Sequence, residues 1–229
     1  AETGTGILFI THDLAVAADR SDRIVVMRGG TVQEAGETAA VLTAPASPYT
    51  RTLLADAPSL ARVVERTAPV AARAVDTGAD AADGAGAAEP RALVEVAHLT
   101  QEFRRPGRAP FLAVDDVSFS VARGTTHALV GESGSGKSTL AKLMLRLEQP
   151  SQGAVLYRGV SLEKLDRSQW RSYRRDVQAV FQDPSSSLNP RMRVEQSLGY
   201  VARRHELAEP ARLRAFLAGH LASVGLDPP

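Results

Sequence analysis

Residues 126–144 read THALVGESGSGKSTLAKLM, and they hold the strongest signal in the chain. Thr126–Val130 is a short apolar, strand-sized run. Gly131-Glu-Ser-Gly-Ser-Gly136-Lys137-Ser138 then fits G-x-x-x-x-G-K-[ST], and a helix-forming run opens at Lys137. A strand, a glycine-rich loop and a helix in that order make a phosphate cradle. The glycines let the backbone turn so that successive N–H groups point inward. The start of the helix adds its partial positive charge. Lys137 contributes a point charge to the outer phosphates, and the Ser138 hydroxyl suits Mg²⁺. Gly131, Ser133, Gly134, Ser135, Gly136, Lys137, Ser138 and Thr139 are therefore the candidate nucleotide-binding set. The bland alternative is a Gly/Ser turn that holds nothing.

Working outward, β-type runs precede the loop at Leu93–Leu99 and Phe111–Val121. The helix is expected to run from Lys137 to Glu148, ahead of Pro150. Strands are expected at Ala154–Arg158 and Val177–Gln182. In the tail, Leu213, Phe216, Leu217, Leu221 and Val224 recur at helical spacing, with Gly225 as a C-cap. Far upstream lies another strand, Ile7–Ile10, followed by THDLAVAADRSD, a helix. A hairpin comes next: Arg23–Met27, the turn Gly29-Gly30, and Thr31–Glu34. Helical stretches follow around 37–43 and 49–66. Between the two pieces, residues 71–90 contain nine Ala, three Gly and three Asp, too little apolar surface to offset the ordering entropy. Residues 67–91 therefore read as a flexible linker, with an Ala-rich helix as the alternative.

Composition narrows the function. The chain has 229 residues, about one and a half domains at ~150 residues each. Net charge is +1, which argues against nucleic-acid binding by bulk charge. There is no Cys, so thiolate metal sites, disulfides and Cys nucleophiles are excluded. The five His, at 12, 98, 127, 205 and 220, have no tight metal-ligand spacing. No run approaches the ~20 apolar residues of a membrane span, and AETGTG carries no signal-peptide pattern.

The residues around the loop resemble ATP-binding-cassette (ABC) ATPases. VSFSVARGTTHALVGESGSGKSTLAKLMLRLEQPSQGAVLYRG (117–159) is similar to that family's Walker A region, and VQAVFQDPSSSLNPRMRV (177–194) to its Q-loop. The SLNPR run, Ser187–Arg191, resembles the dipeptide/oligopeptide/nickel importer subfamily. The resemblance implies that Gln182 ligates Mg²⁺ and the attacking water, and that Phe103 stacks on adenine. The plain alternatives are a loop glutamine and a core aromatic. ILFITHDLAVAADRSDRIVVMRGGTVQEAG (7–36) is similar to the family's switch region, which implies a catalytic His12 near the γ-phosphate; a structural His is the alternative. SPYTRTLLADAP (Ser47–Pro58) resembles the C-terminal extension of peptide-importer ATPases, with Ser47 where His is more usual. The implied fold is α/β, of the P-loop ABC ATPase type, with a mixed sheet, an antiparallel β subdomain and a helical subdomain.

The order of these parts departs from the family's. The switch histidine, which comes last in an ABC ATPase, here comes first. No LSGGQ-like signature and no Walker B strand ending in Asp-Glu occurs in the sequence, since Leu112-Ala-Val-Asp115-Asp116 precedes the loop. A window cut from a tandem protein accounts for this. Residues 1–66 would be the end of one ATPase domain, 67–91 a linker, and 92–229 the first part of a second. Both domains are then incomplete, and ATP with Mg²⁺ would bind without turnover. A parallel, central Walker A strand wants neighbours on both sides. The Ile7–Ile10 strand is expected to dock beside Thr126–Val130, within reach of a ~25-residue linker. Implied partners are the importer's transmembrane permease subunits, a second ATPase domain and, indirectly, an extracellular solute-binding protein, with no nucleic acid. The implied location is cytoplasmic, peripheral on the inner face of the membrane. Rival readings are a catalytically inert fragment, an ABC-type translation factor piece, and a small-molecule P-loop kinase.

Overall fold

β-branched residues and alternating burial put strands where the chain must cross a core. The computed structural model describes residues 4–56, 92–104, 106–107, 109–181 and 188–226. These fall into two units, Ala1–Arg167 and Ser168–Pro229. The expected linker 67–91 lies outside the described residues.

The first unit opens with β1 (Ile7–Thr11) and α1 (Leu14–Arg20). Asp13 caps that helix, its carboxylate accepting from the amides of Ala15 at 2.8 Å and Val16 at 3.3 Å. β2 (Arg23–Arg28) and β3 (Thr31–Glu37) form the expected hairpin. Its turn residues Gly29 and Gly30 both have positive φ, 55° and 87°, as a two-residue primed turn requires. α2 (Thr38–Thr43) and α3 (Pro48–Ala55) follow, then β4 (Ala92–Phe103), β5 (Phe111–Ala122) and β6 (Thr126–Val130). α4 (Lys137–Met144), β7 (Gln152–Tyr157) and β8 (Val160–Ser161) complete it.

Among the described residues these strands form two four-stranded sheets. One has the order β1-β6-β2-β3 and the other β5-β4-β7-β8. The second is antiparallel throughout. In the first, β6 is parallel to both neighbours. Ile7 pairs with Thr126 and Thr11 with Val130 on one side; Arg23 pairs with His127 and Val26 with Val130 on the other. The expected docking of the Ile7–Ile10 strand beside the loop strand is thus observed, and β2 docks on the opposite side. The physical reason is burial: Ala128, Leu129 and Val130 are completely buried, and a strand buried on both faces needs both its edges paired. Leu14, Ala17, Ile24, Val26, Val41 and Leu42 from the upstream segment pack with Ala128 and Val130 into one apolar cluster. Asp22 closes the junction. Its carboxylate accepts from the Thr126 amide at 2.7 Å and its amide donates to the Thr126 carbonyl at 2.8 Å.

Two expectations need correction. The loop helix ends at Met144 rather than Glu148. Arg146 takes the left-handed conformation, φ 50°, and Leu147 N–H turns back to the Lys142 carbonyl at 2.8 Å, terminating the helix early. The strand expected from Val177 does not form over 177–181: no neighbour pairs with it, and Val180 is 96% exposed. In the second unit, α5 (Arg167–Asp176) instead ends in a helical turn, with Val177 N–H donating to the Tyr173 carbonyl at 2.8 Å. α6 (Val194–Arg204) and α7 (Leu213–Ser223) follow among the described residues, and Gly225 has the positive φ, 78°, expected of a C-cap.

His127 is buried on β6, its Nε2 3.0 Å from the Thr125 hydroxyl. Burial pushes its imidazole below the ordinary 6.5; Arg23 adds to this and Asp22 opposes it. The unfolded chain therefore binds more protons just below pH 6.5, and stability is lost as pH falls through that window. Urea midpoints between pH 5 and 7.5 should decline toward acid, and His127→Gln should flatten that part of the profile.

Candidate nucleotide site

β6 delivers the loop at its C-terminal end, and α4 begins where the loop finishes. The first intrahelical bond of α4 runs from the Leu140 amide to the Gly136 carbonyl at 2.9 Å, so the amides of Lys137, Ser138 and Thr139 precede it without helical partners. Gly134 and Gly136 have φ of 80° and 99°, a region that only glycine occupies cheaply. No atom lies within 4 Å of where a Gly134 side chain would start, so space opens over the loop. The Lys137 ammonium is folded over the loop's own oxygens. It donates to the carbonyls of Gly131 and Glu132, each at 2.7 Å, and to the Ser135 hydroxyl at 3.1 Å. Burial lowers its pKa, and the Glu132 charge opposes the shift. Ser135 is buried, Ser133 is exposed in the turn, and Thr139 is partly buried on α4. Ser138 is exposed in the first turn of α4. This donor set of amides, one ammonium and one free hydroxyl fits a polyphosphate with a hard cation.

The upstream segment supplies the loop's walls. A Cβ on Gly131 would run into the Met27 carbonyl, at the end of β2. A Cβ on Gly136 would run into the Ala113 carbonyl of β5. Gly30, in the β2–β3 turn, donates to the Ser135 carbonyl at 3.1 Å and accepts from the Asp115 amide at 2.9 Å. The loop is thus seated backbone to backbone between the hairpin and β5.

The other expected residues fare differently. Thr11 and Val130 are register partners, so His12 and Gly131 leave adjacent parallel strands at the same end of the sheet. His12 is exposed there. Phe103 ends β4 and pairs with Phe111, and the two rings are 37% and 60% exposed. Two residues along β5 from Phe111 is Ala113, which touches Gly136. The aromatic pair therefore sits about 7 Å along the strand from the loop's helical end. Gln182 lies outside the described residues.

Sequence reasoning missed Glu34 and Phe111. Glu34, on β3, accepts from the amides of Ala46 at 2.8 Å and Ser47 at 3.1 Å, fixing the start of α3. Burial is the largest single effect on its carboxyl and raises the pKa. The Thr50 hydroxyl, those two amides and the Arg51 charge together still hold it below the ordinary value. A lone Glu in a strand gives no sequence signal of such a role. The Phe103–Phe111 pairing could have been found by counting registers across the β4–β5 hairpin.

Comparison with known proteins bears on this geometry. Residues 114–224 match the ABC transporter family model. The chain is 34% identical over 238 residues to a glutathione import ATP-binding protein, GsiA, of Salmonella paratyphi A, and 34% identical over 252 residues to the protein of that name from Escherichia coli K12. Each alignment covers 99% of this chain and 38% of the relative, so the chain spans well under half the length of these curated relatives. Among solved structures, an ATP-binding subunit of an ABC transporter shares 30% identity at a TM-score of 0.42, over 53% of this chain and 49% of that one. The protein cbiO1 of Clostridium perfringens, described as part of an ABC transporter complex, shares 23% identity at a TM-score of 0.46, over 59% of this chain and 51% of that one. Over residues 114–224 the chain is thus similar to the ABC transporter family.

Proposed function

We propose that this chain binds ATP with Mg²⁺ through residues 131–139 and is part of the energy-coupling ATPase of an importer for peptide-like solutes. The observation that carries the reading is the seated loop: a buried parallel strand, a glycine cradle and Lys137 held over it at the start of a helix. Lys137 would trade its carbonyl partners for phosphate oxygens. The amides of Gly134, Gly136 and Lys137 would bind the phosphates, with Phe103 under the base. Ser138, together with Gln182, would hold Mg²⁺, which when bound neutralises phosphate charge. His12, at the same end of the sheet, would face the terminal phosphate.

The tandem origin is part of the proposal. Residues 1–66 would come from the end of one ATPase domain and 92–229 from the start of the next, joined by 67–91. Two facts support it: a single alignment runs through 99% of this chain but only 38% of each relative, and the switch-like segment precedes the loop. The partners would be transmembrane permease subunits and a second ATPase domain, with a solute-binding protein acting indirectly, which would place the chain on the cytoplasmic face of a membrane. The chain is expected to bind ATP without hydrolysing it, because its sequence holds no signature and no Walker B carboxylates.

Titration with a fluorescent ATP analogue and Mg²⁺ tests this reading. Saturable binding is expected. Lys137→Ala removes a charged hydrogen-bond donor worth ~1.5–3 kcal/mol and should weaken binding roughly 10- to 100-fold. Equal binding by both chains would end the proposal.

A further inference from the structure

On the reading of residues 131–139 as an ATP site, we propose that the Gly30 amide, in the β2–β3 turn, aims the Gly136 amide at bound phosphate, which makes Gly30 a positioning residue. The tip of the hairpin meets both ends of the loop. Met27 closes on Gly131, and the Gly30 Cα lies 3.4 Å from where a Gly136 side chain would start. The Gly30 amide donates to the Ser135 carbonyl at 3.1 Å, while its carbonyl accepts from the Asp115 amide at 2.9 Å. β5 thus holds the turn, and the turn holds the loop. The position needs glycine: φ is 87°, and a Cβ would stand 3.1 Å from the Ala113 carbonyl oxygen.

A trans peptide unit is planar, so its C=O and its N–H point in opposite directions. The Ser135 carbonyl and the Gly136 N–H belong to one such unit. Gly30 grips the carbonyl from the hairpin side, which turns the Gly136 N–H away from the hairpin. Among the described residues that N–H meets no acceptor. It is a donor left for an anion at the start of α4. The unit has little stiffness of its own, because Gly136 follows it at φ 99° with glycine's wide freedom. The bond from Gly30 supplies the restraint. Ser135 also carries Lys137: its buried hydroxyl accepts from Nζ at 3.1 Å, and its own amide donates to the Glu132 carbonyl at 3.2 Å. A swing at Ser135 would therefore displace the amide and the ammonium together. Because the gripping donor sits on the upstream hairpin, seating of the hairpin and binding of nucleotide favour each other by the same factor.

The test removes that one donor from the full chain. Cell-free translation with a hydroxy acid at position 30 puts an ester oxygen where the Gly30 N–H was and keeps the glycine backbone. The same exchange at Gly29 is the matched control. Without nucleotide, the ¹⁵N order parameter of the Gly136 amide should fall from the ~0.85 of rigid backbone toward ~0.6 in the Gly30 ester, and hold in the Gly29 ester. Affinity for the fluorescent ATP analogue with Mg²⁺ should fall about threefold to tenfold in the Gly30 ester alone. Val155→Ala, in the core at β7, should lower the urea midpoint and move neither readout, which separates positioning from general loss of stability. An unchanged Gly136 order parameter or an unchanged affinity in the Gly30 ester would overturn the proposal, as would an equal effect of the Gly29 ester. Should the wild type fail to bind the analogue, the ATP reading falls, and the order of the Gly136 amide alone still decides whether Gly30 holds it.

Discussion

Cut back to residues 92–229, the chain should lose cooperative unfolding of its first unit and all nucleotide binding. The reason is the seating of β6. Both of its neighbours come from upstream of residue 57, and the register bonds run along its whole length. Without them the backbone groups of Thr126–Val130 lose their partners on both edges, each unpaired buried group costing ~1–3 kcal/mol. The loss also strips Leu14, Ala17, Ile24, Val26, Val41 and Leu42 from Ala128 and Val130. The sum exceeds the ~5–15 kcal/mol that holds an ordinary domain together. Near-ultraviolet circular dichroism during heating would show the missing transition. Adding residues 1–66 as a separate peptide should restore it in a concentration-dependent way, since binding to the folded form alone stabilises by mass action. A cooperative transition retained by 92–229 alone, with ATP still bound, would show that β6 does not need its observed neighbours.

Gly136→Ala should damage the loop far more than Gly134→Ala. Two effects combine at Gly136. Its φ of 99° is strained for any residue with a Cβ, and the new methyl would enter the Ala113 carbonyl. Backbone strain and forced repacking, at ~1–3 kcal/mol each, predict a loss of about 3 kcal/mol or more. Relief of the clash would push the loop away from β5 and misplace the start of α4, so affinity for ATP should fall with stability. Gly134→Ala is the matched comparison. Its φ is 80°, but no atom lies within 4 Å of the added methyl, so strain alone applies, at about 1 kcal/mol. Urea denaturation of the two variants separates the effects. Equal losses would mean that the close approach to Ala113 relaxes freely.

The local elements were legible because their signals are local. Gly29-Gly30 between two apolar runs specifies its own turn, and the strand–loop–helix motif specifies its own cradle. The docking of Ile7–Ile10 beside Thr126–Val130 was also expected, but from a family resemblance, since a five-residue apolar run says nothing about which strand it will pair with. The failures have physical causes. Val177–Phe181 is apolar enough for a strand, but a strand exists only where another offers it a ladder, and none does over those residues. The loop helix was expected to run on to Glu148, but Arg146 adopts a left-handed conformation that no residue type announced. Around the site, Glu34 was invisible because its role, holding the start of α3, exists only in three dimensions.

The pairing of β1 and β2 with β6 has a consequence for synthesis. Thr126 lies 119 residues after its partner Ile7, and His127 lies 104 after Arg23. At ~5–20 residues per second, a ribosome takes about 5–20 s to make those ~100 residues. Through that interval Ile24, Val25, Val26 and Met27, all buried in the finished fold, wait without the strand that will cover them. The nascent chain thus presents an apolar, pairing-competent edge for seconds, and holdase chaperones that cap such edges would decide the yield of this protein more than its final stability does.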